Sequence, residues 1–247
     1  MSGNKNIVLI MGPPRAGKSH SLMSMRDKGQ MVYLNTDMKD LPFGTKFGSF
    51  MANVEVSNAM DIFQYITQIE QEPTCKGGIL DTLTFLMNMY ERQYVNNSPN
   101  TQKAWGDYGN FYREFIHAIK AGSKDYAIMA HEDFTLNEKT MEFESKVPVK
   151  GAVGRIGVEA DFTTILGVRT VSMKQLEGHE NSLLNITDDE REDDSKSVFV
   201  TRPANEFKGG KMRMPFKLWE RSELYIDNDL QQVFDRLRSY YGQEKAA

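Results

Sequence analysis

The residue types best suited to chemistry stand together near the amino terminus, in the segment Gly12-Pro13-Pro14-Arg15-Ala16-Gly17-Lys18-Ser19. The segment fits the pattern G-x-x-x-x-G-K-[ST], in which glycines let backbone amides approach a polyphosphate closely. Lys18 is expected to reach the β- and γ-phosphates of a nucleotide, and the Ser19 hydroxyl is expected to ligate Mg²⁺. The predicted nucleotide-binding residues are Gly12, Pro13, Pro14, Arg15, Ala16, Gly17, Lys18, Ser19 and His20.

The sequence on either side gives this segment its context. Asn6 to Met11 is an apolar run rich in β-branched residues and predicts a buried strand, and His20 to Lys28 has no glycine or proline and predicts a helix. A strand, a glycine loop and a helix in succession form a phosphate-binding site, because the loop amides and the helix start carry partial positive charge. The alternative is a glycine turn without a ligand.

A second candidate is Asp81, which ends the short apolar strand Gly77 to Asp81. A carboxylate at such a strand end can hold Mg²⁺ beside the Ser19 hydroxyl, although it can also be an ordinary strand-ending aspartate. The next residue is Thr82, whereas many ATP-driven motors have the water-activating glutamate at that position. The general base must therefore come from elsewhere.

Three residues at the ends of other predicted strands could complete a hydrolytic site. Asp37 follows the strand Gln30 to Leu34 and could orient and partly deprotonate the attacking water, or could simply cap the next turn. Glu132 is the other candidate base. His131 ends the strand that begins at Tyr126, and its imidazole could donate a hydrogen bond to the γ-phosphate.

Several basic residues could meet a phosphate outside this site. Four of them surround a Gly-Gly pair and could supply a finger to a neighbouring subunit, contact a nucleic-acid backbone, or form a solvated hairpin: Arg202, Lys208, Lys211 and Arg213. Two further segments, predicted as loops, combine basic residues with aromatic residues or glycines and could bind single-stranded nucleic acid or be plain surface: Arg92, Lys103 and Trp105 in the first, and Lys146, Lys150 and Arg155 in the second.

The chain as a whole predicts one α/β domain over residues 1–247. Strands alternate with helices up to about residue 131, which predicts a mostly parallel sheet covered on both faces. Residues 132–160 are predicted as long loops, and about 160–242 as an extension of strands and a C-terminal helix, with the acidic run 188–194 at a mobile hairpin tip. A net charge of −4, a single cysteine, and the lack of a signal pattern or membrane-length apolar run predict a cytoplasmic protein with no membrane partner.

Taken together, these segments resemble a RecA-type ATPase core and are most similar to the small phage-encoded single-strand annealing proteins of the Sak type. The resemblance rests on the following segments: Gly12 to Ser19, Tyr33 to Asp37, Ile79 to Thr82, Trp105 to Gly109, Ala130 to Glu132 and Phe207 to Gly210. It implies a three-layer core with an antiparallel C-terminal extension and ATP with Mg²⁺ as cofactors. It also implies self-assembly into a ring or filament on single-stranded DNA in the host cytoplasm, with a single-strand-binding protein as a further candidate partner.

The resemblance also assigns roles to individual residues. It makes Asp81 the Mg²⁺ aspartate and His131 a polar sensor of the γ-phosphate, and it puts the catalytic acid at Asp37, where related proteins usually carry glutamate. It implies DNA-binding loops at about 88–108 and 133–158. Lys211 and Arg213 resemble the lysine-x-arginine finger of related hexameric helicases.

The expected function is an ATPase that assembles on single-stranded DNA and promotes strand annealing or recombination in phage replication. A helicase loader or DNA-packaging motor is the main alternative, and the Thr82 that follows Asp81 argues against it. A small-molecule kinase would need a lid-like arginine cluster that the sequence does not show. A nucleotide switch without hydrolysis remains if Asp37 cannot act as a base.

Overall fold

The apolar runs of the sequence form the strands of one large sheet. The computed structural model describes residues 3–138, 141–204 and 210–246. Its strands, in chain order, are β1 (Ile7–Gly12), β2 (Met31–Asn35), β3 (Ala52–Glu55), β4 (Gly77–Asp81), β5 (Asp125–His131), β6 (Asp133–Asn137), β7 (Glu142–Lys146), β8 (Thr164–Val171), β9 (Lys196–Val200) and β10 (Tyr225–Asp227).

The main sheet has the strand order β10-β9-β8-β1-β5-β4-β2-β3. The pairs from β8 to β3 are parallel, whereas β9 pairs antiparallel with both β8 and β10. The predicted α/β class is therefore confirmed, with a mostly parallel sheet and an antiparallel extension on the C-terminal side. Strands β6 and β7 form a separate two-stranded hairpin.

Helices cover both faces of the sheet and give it three layers. The helices are α1 (Ile62–Gln71), α2 (Leu83–Tyr90), α3 (Thr101–Ala121), α4 (Gly151–Ile156), α5 (Met173–Leu176), α6 (Asp188–Glu192) and α7 (Leu230–Ala246). Helices α1, α2 and α3 share one apolar core with one face of the sheet. On the opposite face, α7 packs with the segment that follows the glycine loop, through residues such as Leu22 and Phe234. The buried isoleucines of α1 recur every three or four residues, the spacing of one helix face.

The strand register gathers the predicted site residues at one edge of the sheet. Gly12 at the end of β1 is level with His131 at the end of β5. Asn35 at the end of β2 is level with Asp81 at the end of β4. Since parallel strands have their carboxyl ends at a common edge, the glycine loop, Asp81, His131 and the residues after Asn35 lie along one rim, where ligands of such sheets bind.

The predicted helix from His20 to Lys28 is wrong. A 3-10 helix runs from Ser19 to Leu22, and turns carry the chain to a second short 3-10 helix at Lys28–Gln30. The serine hydroxyls give a physical reason, because such side chains compete with helical backbone bonds. The Oγ of Ser21, for example, donates to the carbonyl of Lys18 at 2.6 Å.

The segments predicted as loops contain regular structure. Residues 133–137 and 142–146 form the paired strands β6 and β7, and residues 151–156 form α4, so Lys146 and Arg155 lie in a strand and a helix. Lys103 and Trp105 lie inside α3, which begins at Thr101. The acidic run 188–194 contains the helix α6, so it is not the tip of a hairpin as predicted. Thr187 precedes this helix and forms a capping box with it. Within the described residues, no helix combines the length and the apolar character needed to span a membrane.

Candidate functional site

The glycine loop closes on its own lysine. The Nζ of Lys18 donates to the carbonyl of Gly12 at 2.8 Å and to that of Pro13 at 3.0 Å. Burial lowers the pKa of Lys18 to about 8, against the opposing effect of the Asp81 carboxylate. A polyphosphate would offer this ammonium stronger, charged acceptors than two carbonyls, so the lysine is held at the position where phosphate is expected.

The loop conformation depends on its glycines. Arg15 and Gly17 both have positive φ angles, 66° and 101°. A Cβ on Gly12 would lie 3.1 Å from the carbonyl oxygen of Val168, so any larger residue at position 12 would require the loop or β8 to shift. The Arg15 side chain is exposed to solvent.

Asp81 accepts hydrogen bonds from two hydroxyls on its Oδ2 atom. Ser19 donates to it from the glycine loop at 2.7 Å, and Tyr33 donates to it from β2 at 2.9 Å. The carboxyl group is almost completely buried, and that burial raises its pKa. The Ser19 and Asp81 oxygens are hard donors next to a phosphate loop, so they suit Mg²⁺ and would hold it there. This contact of Tyr33 with Asp81 was not predicted from the sequence.

Two threonines join the carboxyl ends of β2 and β4. The hydroxyl of Thr36 donates to the carbonyls of Asp81 and Thr82 at 3.0 and 2.9 Å and accepts from the amide of Thr82 at 2.7 Å. The hydroxyl of Thr82 accepts from the amide of Phe85 and caps α2. The position after Asp81 therefore starts a helix, and Asp37, which follows Thr36 two residues beyond the end of β2, lies at the rim.

Asp37 makes the turn-capping contact, one of its two predicted roles, and also pairs with a lysine. Its Oδ1 accepts from the amide of Lys39 at 3.1 Å, as a turn-capping carboxylate does, and its Oδ2 lies 3.2 Å from the Nζ of the same lysine. The negative charge of Asp37 also acts, more weakly than that of Asp81, to raise the pKa of Lys18. The Lys39 side chain is 71% exposed, so solvent weakens this ion pair. Asp37 can therefore exchange Lys39 for another contact.

His131 is anchored by its backbone, and its ring is left for another contact. Its amide donates to the hydroxyl of Thr84 at 3.0 Å, and its imidazole lies edge-to-face against Phe85 with ring centroids 5.3 Å apart. Burial and the nearby positive charge of Lys18 lower the pKa of His131. The imidazole is therefore neutral near pH 7 and can donate a hydrogen bond from one nitrogen.

Glu132 is paired inside the molecule. Its two carboxylate oxygens lie 2.8 and 2.7 Å from the Nη2 and Nη1 atoms of Arg169 on β8, and both side chains are buried. The guanidinium carbon of Arg169 also lies 5.5 Å from the ring centroid of Phe134. Arg169 was missed from the sequence, although an arginine within the apolar strand Thr164–Val171 is a signal, since buried arginines need partners.

The predicted finger residues occupy different environments. Arg202 donates to the carbonyls of Trp219 and Glu220, so it is engaged within its own chain. Lys211 and Arg213 are exposed, and the Arg213 side chain donates a long hydrogen bond, 3.3 Å, to the carbonyl of Phe162. Lys208 lies outside the described residues.

The predicted DNA-contacting residues are divided between a cleft and other surfaces. Arg92 and Lys150 line a cleft of about 730 Å³ that opens beside Asp37, with Asn88 and Asn96 among its walls. The other four side chains lie elsewhere: Lys103 pairs with Asp107, Trp105 packs into the core beside Tyr108, and Lys146 and Arg155 are exposed.

Comparisons with known proteins give one family. The AAA domain family matches residues 4–210 of this chain, which include every residue of the rim described above. No protein with a curated function matches the sequence. Among solved structures, the crystal structure of the RadB recombinase aligns with a TM-score of 0.39 and 11% sequence identity, over 68% of this chain and 76% of that one.

Proposed function

We propose, from the premise that this chain belongs to the AAA domain family, that it hydrolyses ATP and couples hydrolysis to strand annealing or recombination on single-stranded DNA. The family supports a nucleotide-binding ATPase. The observation that carries the proposal is the convergence of Lys18, Ser19, Asp81, Asp37 and His131 on one rim of the sheet. Phosphoryl transfer needs chiefly positioned positive charge and an oriented nucleophile, and these residues supply both.

Each rim residue has a separate task in this proposal. Lys18 would neutralise charge on the β- and γ-phosphates, and the Ser19 and Asp81 oxygens would hold Mg²⁺, which would supply further positive charge to the phosphates. Asp37 orients the attacking water and accepts its proton. Glu132 is the weaker candidate for that base, because Arg169 occupies both of its oxygens.

His131 is proposed to sense the γ-phosphate. It ends β5, and β6 follows it after one intervening residue, Glu132. A hydrogen bond gained or lost at the imidazole would therefore act directly on the position of the β6–β7 hairpin. The hairpin carries half-exposed apolar side chains, Phe134 and Leu136, and is suited to contact another molecule.

Single-stranded DNA is proposed to enter the cleft beside Asp37. Arg92 is exposed there, and the Nζ of Lys150 lies 2.7 Å from the Oε1 of Glu91, an ion pair that a phosphate can replace. Asp37, the proposed base, is one of the residues that line the cleft. Nucleic acid in this cleft could therefore alter the geometry of the hydrolytic site, which would make the ATPase DNA-stimulated.

Assembly into a ring or filament would complete the site with Lys211 and Arg213 of an adjacent copy. Both are exposed, as a finger acting in trans requires. A role in the cytoplasm of a phage-infected cell, alongside a single-strand-binding protein, would fit this activity. A nucleotide switch is the second candidate, because the contact between Asp37 and Lys39 holds the proposed base in a turn.

The DNA part of the proposal can be tested with a fluorescent single-stranded oligonucleotide titrated over a range of salt concentrations. We expect Arg92→Ala and Lys150→Ala each to weaken binding and to reduce the slope of log K against log salt by about 0.7, the value for one lost phosphate contact on a single strand. Arg26→Ala is the matched control, because this exposed arginine pairs with Asp235 on α7, away from the cleft. Equal slopes in all four proteins would contradict the assignment of the cleft.

A further inference from the structure

The part of the chain after residue 210 lies outside the AAA domain match, yet it reaches the phosphate loop. The Nδ2 of Asn228 donates to the carbonyl of Gly17 at 2.8 Å and to the Oγ of Ser197 at 3.0 Å. The Oγ of Ser197 in turn donates to the carbonyl of Ala16 at 2.9 Å. Two side chains from the antiparallel extension thus hold two successive carbonyls of the loop.

The strand register explains how residues about 180 and 211 positions away reach the loop. In the antiparallel β9–β10 pair, Asp227 is opposite Val198, so the next residue along, Asn228, comes opposite Ser197. The pair is fixed by Lys196, whose Nζ lies 3.1 Å from Asp227 and 2.7 Å from Glu190 on α6. The Lys196 side chain is only 7% exposed, so solvent screens these contacts weakly.

Holding the two carbonyls also orients two amides. In a trans peptide the C=O and the following N–H point in opposite directions. The carbonyls of Ala16 and Gly17 point toward Ser197 and Asn228, so the amides of Gly17 and Lys18 point away from them. This is the polarity that a phosphate loop requires, with carbonyls outside and amides toward the anion.

The same contact accounts for the second glycine of the motif. A Cβ on Gly17 would lie 2.7 Å from the Oγ of Ser197 and 3.0 Å from the Nδ2 of Asn228. Any other residue would therefore push these two side chains off the loop, in addition to the strain of its φ of 101°.

We infer that Ser197 and Asn228 are positioning residues of the nucleotide site, which keep the Gly17 and Lys18 amides turned toward the phosphate chain. The inference rests on the proposed binding of nucleotide at this loop. It makes β9 and the segment between β10 and α7 a working part of the site, with Ser197 and Asn228 acting on the loop backbone.

Affinities for Mg–ATP and for Mg–tripolyphosphate test the inference, measured on the full chain by displacement of a fluorescent ATP analogue. Ser197→Ala and Asn228→Ala should each weaken both ligands about tenfold, since a hydrogen bond of this kind contributes about 1.4 kcal/mol. The factor should be the same for both ligands, because the phosphate chain is the part they share. The double variant should lose less than the product of the two factors, since the side chains bond each other. Ser197→Thr, which keeps the hydroxyl, should restore affinity.

Asn181→Ala is the matched control. The Nδ2 of Asn181 donates to the carbonyls of Tyr225 and Ser222 at 2.9 and 3.1 Å, so it supports the same hairpin through the same chemistry at a distance from the loop. It should lower the melting temperature as Asn228→Ala does but leave both affinities unchanged. Should Asn228→Ala fail to fold, Ser197→Ala and Asn228→Ser serve in its place.

Two outcomes would overturn the inference, and they differ in what else they overturn. Affinities within twofold of wild type in Ser197→Ala and Asn228→Ala, or an equal loss in Asn181→Ala, would reject the positioning role and leave the nucleotide site intact. A wild-type protein that binds neither ligand would reject the proposed function together with the inference.

Discussion

At the scale of single residues, Lys18 shows how the loop prepares for its ligand. The lysine is buried with its ammonium on two carbonyls, and its pKa falls to about 8 because the loop withdraws it from water. A phosphate chain binds the charged form, so binding must restore the proton wherever it has been lost. The nucleotide affinity therefore depends on a titration near physiological pH.

We predict that the affinity for Mg–ATP is constant below about pH 8 and falls about tenfold per pH unit above it, since the folded protein must then take up one proton to bind. Isothermal titration calorimetry from pH 7 to 9.5 measures this directly. Lys18→Arg keeps its charge throughout that range and should show a flat profile at its own, weaker affinity. A flat profile for the wild type would show that the lysine is not desolvated as the structure indicates.

Residues that a contiguous motif defines can be predicted from the sequence, whereas residues that only the fold brings together cannot. Lys18 and Ser19 belong to the motif, and Asp81 could be placed because it ends a strand. The contact of Tyr33 with Asp81 could not be predicted, because a tyrosine in a strand is common. Only the pairing of β2 with β4 brings its hydroxyl to Asp81. No local pattern marks Ser197 or Asn228.

At the scale of elements, the Glu132–Arg169 pair joins the end of β5 to β8 on either side of the phosphate-loop strand. The carboxylate is fully buried and the guanidinium nearly so. Such a pair is weak evidence of net stabilisation, but removal of one partner leaves a buried charge without compensation. Substitutions at this pair can therefore distinguish a structural role of Glu132 from a catalytic role.

We predict that Glu132→Gln lowers the free energy of unfolding by about 3–5 kcal/mol, whereas the double variant Glu132→Gln with Arg169→Met regains most of it, since no charge is then left buried. Urea unfolding followed by circular dichroism gives both values. ATP turnover by the folded double variant should remain within severalfold of wild type, because Asp37 is the proposed base. Turnover reduced a thousandfold or more in the double variant would instead make Glu132 the base.

The elements themselves were predictable to different degrees. Apolar runs located β1, β4 and β5, because buried parallel strands are apolar on both faces. The helix after the glycine loop was predicted too long, since serine hydroxyls compete for the backbone there. The β6–β7 hairpin and α4 were missed, because hairpin pairing and a six-residue helix leave little periodicity to detect.

At the scale of the whole molecule, α7 is tied to the edge of the sheet opposite the proposed site. The guanidinium of Arg238 bonds Asp125 at the start of β5 and, at 2.8 Å, Asp27 before β2. Lys76, just before β4, pairs with Asp27 at 2.9 Å. These charges link the C-terminal helix to three segments of the parallel core.

We predict that Arg238→Ala lowers the free energy of unfolding by about 3 kcal/mol, since it leaves two buried carboxylates without their shared partner.

Hydrogen bonds from Lys76, Arg238 and Gln231 hold the pKa of Asp27 below its ordinary value. The stabilisation that the Asp27 carboxylate gives to the folded protein is fully present above the unfolded pKa of about 4. It is lost as pH falls below that value. Acid unfolding should therefore be less steep in Asp27→Asn, measured by fluorescence between pH 2 and 5. Identical acid profiles in wild type and Asp27→Asn would contradict this role.

The most direct test of the whole account is ATP turnover with and without single-stranded DNA, measured together for wild type, Lys18→Ala and Asp37→Ala. We predict DNA-stimulated turnover in wild type and none in Lys18→Ala. For Asp37→Ala we predict Mg–ATP binding near wild type with turnover reduced at least a hundredfold, the usual effect of losing a general base. Tight Mg–ATP binding by wild type with no turnover under either condition would contradict the account and leave a nucleotide switch in its place.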